Sequence, residues 1–436
     1  MGSPASTANA YFHYQHTDAC SVSRWTAKES YQFMHARPWQ KVNEFYLDLV
    51  NGRRSLSEMF GKELMMMNGD GKLGGKTRGS KFSWTCGVHY GAEVVKYIDK
   101  PELGSQNRSG RSGRWARVTF KILLSYHGSS FDGWQKQPGL NTVQALIERC
   151  LGKFVDEKRA QLLKEKKLPI DGCVVVAGRT DKGVTAFQQV CSFYTWRTDV
   201  KALDIENAIN DAAPGKIRVI SVSQVSREFH SNFSAKWRRY FYIFPFNDAN
   251  MDCKASNNDA LDSDACPDGQ YGEHFGEETG YEIDDYDHTE QRAGNKPLSF
   301  EVSRVNHLLQ QLEGKLLSFR MFARDTKASR NIGPPTECFV FHARAAEAHL
   351  LCRKDGTNTR TMCIELVANR FLRKSMVRVL VATAIREAAA GAAEDALLKL
   401  MDATCRRATA PPAPPDGLCL LDVGYTEFDE KSCLIP

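Results

Sequence analysis

The stretch VTFKILLSY, residues 118–126, decides the fold class, because apolar side chains occupy every second position along it. A period of two predicts a strand with one buried face. After a loop, the apolar residues from Val143 to Phe154 recur instead at helical spacing, and Asn141 and Gln144 are spaced as in a capping box. The segment therefore predicts a half-buried strand followed by an amphipathic helix.

Strand and helix patterns continue in irregular order along the chain. Strands are predicted at residues 173–177, 190–196, 217–222, 236–244 and 362–368, and after the proline-rich segment at residues 411–417. Helices are predicted at residues 203–212, 302–312 and 371–390. This order favours an α+β fold with a mostly antiparallel sheet in two lobes, and a cleft between the lobes is the natural site.

Composition divides the chain into four parts. Residues 1–114 show no sustained period and are interpreted as an N-terminal extension, partly flexible where glycine and basic residues accumulate. Residues 115–246 and 298–436 would form the two lobes. Residues 247–297 are an acidic insertion with too few apolar residues to offset the entropy of ordering, so we expect disorder there and, because of its charge, a position away from any bound polyanion.

The overall composition narrows the class of protein. The 436 residues are 42% hydrophobic, carry a net charge of +6 and contain no long apolar run, which favours a soluble protein without a membrane segment. Thirteen cysteines without a CxxC pair indicate neither a disulfide framework nor a zinc ribbon, and they fit a reducing compartment. Because acidic residues concentrate in the insertion, the remainder is basic enough to bind a polyanion.

The segment GRTDKGVTA, residues 178–186, places Asp181 at the end of a predicted strand. Judged alone, Thr-Asp-Lys-Gly is more often an ordinary turn than a catalytic loop. Arg179 and Lys182 favour a functional interpretation, since a nearby cation stabilises an ionised carboxylate or holds a phosphate. Asp181 is therefore the first candidate for a catalytic group.

Two further patterns each have a structural and a functional interpretation. Arg238, Tyr240 and Tyr242 share one strand face, which could stack an unpaired base and neutralise phosphate, although aromatic residues at period two more often form core. Trp134 and Gln135 follow a turn and would be either a structural anchor or part of a substrate loop. The residues alone leave both choices open.

Basic residues also line the predicted helix at 371–390. Arg370, Lys374 and Arg378 recur every fourth residue, as either a solvated edge or a contact surface for RNA. Motifs of other chemistries are absent from the sequence, including a GxxxxGK[ST] phosphate loop, HExxH and GxSxG, and no histidine and cysteine spacing indicates a metal site.

Five motifs in order carry a resemblance to a known family. They are SYHGSSFDGWQKQ with TVQALIERCL, AGRTDKGVTA, RRYFYIF, LSFRMF and FLRKSMVR. In this order and spacing, between about Phe120 and Tyr425, they resemble the TruA-type tRNA pseudouridine synthases. Lys182, and Thr185 where bacterial members usually have His, are similar to the eukaryotic branch.

The resemblance implies an isomerase that converts uridine to pseudouridine in tRNA, with two lobes flanking a basic cleft and no metal or cofactor. It implies that Asp181 is the nucleophile and that Arg179 is its ion-pair or base-flipping neighbour. It also implies that Tyr240 contacts the uracil and that Arg378 lines the pocket. Arg238 and Lys182 complete the expected substrate-binding set.

Departures from the family pattern leave alternatives open. Asn232 stands where the family commonly has Arg, so a phosphate contact would be lost or supplied by Arg238. The second hypothesis is a catalytically inactive RNA-binding protein on the same fold, and a remote third is a carboxylate-dependent nucleoside hydrolase. The modified tRNA positions, the choice between monomer and homodimer, and the compartment stay open, with nucleus or cytoplasm favoured over an organelle.

Overall fold

The computed structural model describes residues 19–60, 117–247, 296–324, 337–351, 356–371, 375–401, 403 and 406–436. The glycine-rich part of the N-terminal extension and nearly all of the acidic insertion lie outside these residues, so the predictions made for them stay predictions. Within the described part of the chain, no helix has the length and apolar character needed to cross a membrane.

The described strands form one mixed sheet. They are β1 (Val118–Tyr126), β2 (Val174–Val176), β3 (Thr185–Thr195), β4 (Ile217–Val225), β5 (Trp237–Pro245), β6 (Leu316–Ser318), β7 (Glu337–Leu351), β8 (Asn358–Ala368) and β9 (Leu418–Gly424). Their order across the sheet is β4-β1-β3-β9-β5-β8-β7-β6, and β2 pairs with β3 off this path. The pairing of β3 with β9 is parallel and the other described pairs are antiparallel. This confirms the predicted α+β class with a mostly antiparallel sheet.

Helices cover both faces of this sheet. They are α1 (Ala27–His35), α2 (Trp39–Val50), α3 (Val143–Leu151), α4 (Glu157–Glu165), α5 (Ala202–Asn210), α6 (Val302–Gln310), α7 (Met376–Ala390) and α8 (Ala396–Met401). The front face, which carries Tyr240 and Tyr242, packs against apolar residues of α3, α5, α6 and α7. The back face, which carries Phe241 and Ile243, packs against α2. The sheet is thus the middle layer of three, and its two cores exclude water from both faces of β5.

The predicted alternation of β5 is confirmed by this division. Tyr240 and Tyr242 belong to one core and Phe241 to the other, as the period of two requires. The last strand, β9, does not extend an edge but lies between β3 and β5. It therefore joins the first half of the sheet to the second.

Helix α7 is buried around nearly its whole circumference, which is unusual for a helix with charged residues. Glu387 is 1% exposed and accepts hydrogen bonds from two arginines, at 2.8 Å from Nη2 of Arg24 and 2.8 Å from Nη2 of Arg386. Because Arg24 precedes α1, this charge cluster ties the N-terminal segment to the core helix.

Two sequence predictions were wrong in part, and β7 was not predicted. The N-terminal extension was predicted to lack a sustained period, yet α1 and α2 form there, and Thr26 and Glu29 make a capping box for α1. The N-cap of α3 is Thr142, whose side chain accepts from the backbone N–H of Ala145, rather than Asn141. The 15-residue strand β7 was missed, because its run of alanines has low strand propensity and is fixed by pairing with β8.

Candidate active site

Asp181 lies in the short connection between β2 and β3. These strands pair antiparallel, with Val176 opposite Cys191, so the predicted position at a strand end is confirmed. The backbone N–H of Val184 donates to the carbonyl of Asp181 at 3.2 Å, and Gly183 has a φ of +80°, which glycine adopts without strain. The carboxylate is therefore carried on a tight turn at the edge of the front face.

A buried polar network fixes the turn from below. The hydroxyls of Tyr126 and Thr180 are 2.7 Å apart, and Nε2 of Gln189 donates to the carbonyl of Gly178 at 2.7 Å and to Tyr126 at 3.3 Å. Tyr126, Thr180 and Gln189 are all buried, so these bonds are shielded from competing water. The network therefore fixes Gly178 and Thr180, the residues on either side of Arg179.

The loop after β1 packs on the turn from the side. The backbone N–H of Trp134 donates to the carbonyl of Thr180 at 3.1 Å, and a Cβ on Gly133 would lie 3.0 Å from the backbone nitrogen of Lys182. Trp134 itself is 1% exposed. Of the two interpretations left open for Trp134, the structure supports the structural anchor.

The Asp181 carboxylate is contacted from the second half of the chain. Oγ of Ser375 donates to Oδ2 of Asp181 at 3.0 Å, and Nη1 of Arg378 lies 3.5 Å from the same oxygen. Nε of Arg378 donates to the carbonyl of Ala413 at 2.6 Å, which restrains its guanidinium. The Asp181 side chain keeps 27% of its surface exposed, so it remains reachable by a substrate.

Ser375 is a site residue that the sequence analysis missed. It is the N-cap of α7 and has a φ of 58°, one of two non-glycine residues with positive φ in the described chain. Such a conformation costs on the order of 1 kcal/mol and is found where surrounding structure enforces it. A serine directly before an apolar helical run is a known start signal, but this signal marks the beginning of a helix and does not indicate the contact with Asp181.

Tyr240 lies on the front face, near enough to Asp181 for the carboxylate charge to act on its phenol. Its ring meets Phe371 edge to face at 5.1 Å, and its hydroxyl would be 3.8 Å from a Cβ on Gly178. Burial raises the pKa of Tyr240 to about 12; the charge of Arg238 opposes this rise and the charge of Asp181 adds to it. The phenol is therefore neutral at physiological pH.

Arg238 is 6% exposed, and its guanidinium is directed at protein oxygens rather than at solvent. Nη2 donates to the carbonyl of Ala177 at 2.8 Å and to Oδ1 of Asn232 at 2.6 Å, and Nη1 donates to the carbonyl of Asn369 at 3.0 Å. Burial lowers the pKa of Arg238. These hydrogen bonds connect the residues that follow β2 and β8 to β5. They favour a role for Arg238 in positioning these strand ends over the predicted phosphate contact.

Arg179 and Lys182 point outward from the turn and are both exposed. Nη1 of Arg179 donates to Oε1 of Gln135 at 3.0 Å, and Nζ of Lys182 lies 3.4 Å from Oδ1 of Asp132. The structure thus brings Asp181, Tyr240 and Arg378 together. It places Arg179 and Lys182 on the outer surface of the same turn.

Comparisons with known proteins show which family the chain is similar to. Residues 310–426 match the family model described as tRNA pseudouridine synthase. The tRNA pseudouridine synthase A of Dictyoglomus thermophilum is 37% identical over 132 residues, which is 30% of this chain and 49% of that protein. Several other matches likewise span about half the length of the curated relative.

One relative is matched over nearly its full length. The tRNA pseudouridine synthase A of Chlorobaculum tepidum is 30% identical over 311 residues, which is 71% of this chain and 99% of that protein. A solved structure of an unknown protein from Galdieria sulphuraria covers 62% of this chain and 92% of its own at 9% identity, with a TM-score of 0.17, too low to bear on the fold. The chain belongs to the tRNA pseudouridine synthase A family.

Proposed function

We propose that this protein isomerises uridine to pseudouridine in tRNA, with Asp181 as its nucleophile. The observation that carries the proposal is the convergence on one carboxylate oxygen of Ser375 and Arg378 from the second half of the chain. An aspartate that served only as a turn residue would not need two partners almost 200 positions away. Family membership supplies the reaction class.

The reaction breaks the bond between ribose C1′ and uracil N1 and forms a bond between C1′ and C5. The C5 proton leaves to solvent and N1 gains a proton, so no oxidant, reductant or leaving group is needed. A carboxylate nucleophile divides this exchange into two easier steps through a covalent intermediate. Retaining the freed base in the pocket makes the rejoining step effectively intramolecular.

Each neighbour of Asp181 has a role in this scheme. Ser375 and Arg378 orient the carboxylate, and the guanidinium of Arg378 stabilises its negative charge. Tyr240 contacts the extruded uracil as a neutral phenol. The uracil must leave the base stack, at a cost of roughly a few kcal/mol that stacking and phosphate contacts offset.

We further propose that residues 115–246 and 298–436 act as two lobes and that the RNA lies across the basic cleft between them. The exposed cations Arg179 and Lys182, on the outer side of the Asp181 turn, support this path, because they are free to approach phosphates after exchanging weak surface partners. A homodimer and the similarity to the eukaryotic branch stay predictions.

Primer extension tests the proposal. Wild-type protein and Asp181→Asn are incubated with unmodified tRNA transcripts, and pseudouridine is mapped by the stops that carbodiimide adducts cause. Stops with wild-type protein alone are expected. Tight binding without stops in either protein would indicate the inactive RNA-binding alternative, and release of free uracil would indicate a hydrolase.

A further inference from the structure

Three side chains of types that bind metal ions lie together on the back face of the sheet, at β7 and β8; two are buried and the third is partly buried. His342 comes from β7, Glu365 from β8 and Cys433 from the C-terminal segment. One ligand atom from each of the three lies within 4.8 Å of the other two. His342 and Glu365 are both fully buried.

The imidazole of His342 has an unusual environment. Neither ring nitrogen makes a hydrogen bond of normal geometry within the described residues, although both are shielded from solvent. Nε2 lies 3.8 Å from Oε2 of Glu365, and Nδ1 lies 3.6 Å from Oε1 of Glu313. An unsatisfied buried polar group costs about 1–3 kcal/mol, so an imidazole held in this way needs a reason.

We propose that His342, Glu365 and Cys433 bind one Zn²⁺ ion. Imidazole nitrogen, thiolate sulfur and carboxylate oxygen form a set that suits Zn²⁺, whereas Mg²⁺ and Ca²⁺ require oxygen ligands. Tetrahedral Zn²⁺ bonds of about 2.0–2.3 Å place ligand atoms roughly 3.5 Å apart, so the three side chains would contract by about 1 Å. A water molecule would complete the coordination.

The surroundings match those of known zinc histidines. With Nε2 bound to the ion, Nδ1–H of His342 would donate to Glu313, and a carboxylate on the second ring nitrogen is the usual partner of such a histidine. Glu313 is itself fixed by the backbone N–H of Ala343 at 2.7 Å. Glu365 Oε2 accepts the backbone N–H groups of Leu434 and Ile435, both at 2.8 Å, so its carboxylate is already oriented.

Two arginines lie close to the site, and each has a carboxylate partner. Nη1 of Arg239 is 3.5 Å from Oε1 of Glu365, and Arg344 pairs with Glu313. The two arginines and the two glutamates sum to zero charge. The thiolate of Cys433 would therefore supply the net negative charge at the ion. Binding of Zn²⁺ at neutral pH would displace the thiol proton of Cys433 to solvent.

The ion would act on structure rather than on chemistry. It would fasten the C-terminal segment to β7 and β8 on the face opposite the candidate active site. Arg239 from β5 donates to the carbonyl of Ser432 at 2.7 Å, so the same segment also contacts the strand that carries Tyr240. The proposal is independent of the enzymatic proposal, since it requires only the back face to be intact.

Metal content tests the proposal on the full chain. Wild-type protein is purified without chelators, dialysed and measured by inductively coupled plasma mass spectrometry, and a single equivalent of zinc is expected. Cys433→Ser and His342→Gln should lose it. Cys173→Ser is the matched control, because Cys173 is exposed and distant from the group in the chain, and it should retain the zinc.

Cobalt substitution provides a second, spectroscopic readout of the thiolate ligand. Co²⁺ added to demetallated wild-type protein should produce the near-ultraviolet charge-transfer band of a thiolate ligand, and Cys433→Ser should lack it. Folded wild-type protein that binds neither metal would overturn the proposal. So would zinc retained at full occupancy in both Cys433→Ser and His342→Gln, because the ion would then lie elsewhere.

Discussion

Replacing Arg238 with lysine distinguishes a positioning role from a phosphate contact. Lysine keeps the charge but cannot span the acceptors that the guanidinium joins, which include the carbonyls of Ala177 and Asn369 and the side chain of Asn232. At least two of these oxygens would lose their charged donor. At roughly 1–3 kcal/mol for each buried group left unsatisfied, Arg238→Lys should lower the free energy of unfolding by about 3 kcal/mol.

That loss corresponds to a decrease in Tm of about 4 °C for a chain of this size, measured by differential scanning calorimetry. Because Ala177 precedes the Asp181 turn, kcat should fall by roughly 10- to 100-fold while the Kd for tRNA stays nearly constant. Arg179→Lys is the matched control, since Arg179 is exposed and its Tm should not change. An unchanged Tm and kcat in Arg238→Lys would refute the positioning role, because lysine would then suffice as a phosphate contact.

Three further predictions follow from the described contacts. Ser375→Ala removes one hydrogen bond to the Asp181 carboxylate, worth roughly 1.5–3 kcal/mol, so kcat/KM in steady-state assays should fall at least about tenfold with little change in Tm. Glu387→Gln removes the negative charge that two buried arginines share, and it should cost about 3–5 kcal/mol in urea unfolding, as destabilisation that does not depend on substrate. Burial lowers the pKa of His127 below 6.5, so the folded state favours the neutral imidazole. The free energy of unfolding should therefore decrease as pH falls through about 6.5, because the unfolded state then binds a proton more readily. The decrease should be less steep in His127→Gln.

A different result would contradict each of these three predictions. Wild-type kcat/KM in Ser375→Ala would mean that the carboxylate is oriented without this bond. Glu394→Gln is the control for the loss of one acidic charge, because Glu394 is exposed and lies shortly after α7. If Glu387→Gln and Glu394→Gln were equally stable, the buried charge cluster would not contribute to stability. Identical pH profiles for wild type and His127→Gln would assign the acid sensitivity to other groups.

The sequence predicted the elements whose pattern is local. The alternation in β1 and β5 and the helical spacing in α3 and α6 reflect burial of one face, so each could be recognised without knowing its neighbours. Strand β7 could not, because alanine-rich sequence acquires its conformation from pairing with β8. The central position of β9 is likewise a property of the assembled sheet.

The residues of the candidate active site differ in the same way: some are recognisable from a local motif and others depend on long-range contacts. Asp181 and Arg378 stood out through their motifs, and the structure brings them to 3.5 Å. Ser375 did not, because its contact spans 194 positions of sequence and depends on a left-handed backbone conformation. The burial of Arg238 could not be predicted from the sequence either, since the same strand pattern fits an arginine that is exposed to solvent.

Release of tritium from tRNA labelled at C5 of uracil tests the central proposal most directly, because forming the bond between C1′ and C5 must expel that hydrogen. Wild-type protein should release tritium to water at a rate set by enzyme concentration. Asp181→Asn should bind the same tRNA with a similar Kd and release none above background. Tritium release by Asp181→Asn at the wild-type rate would contradict the assignment of Asp181 as nucleophile.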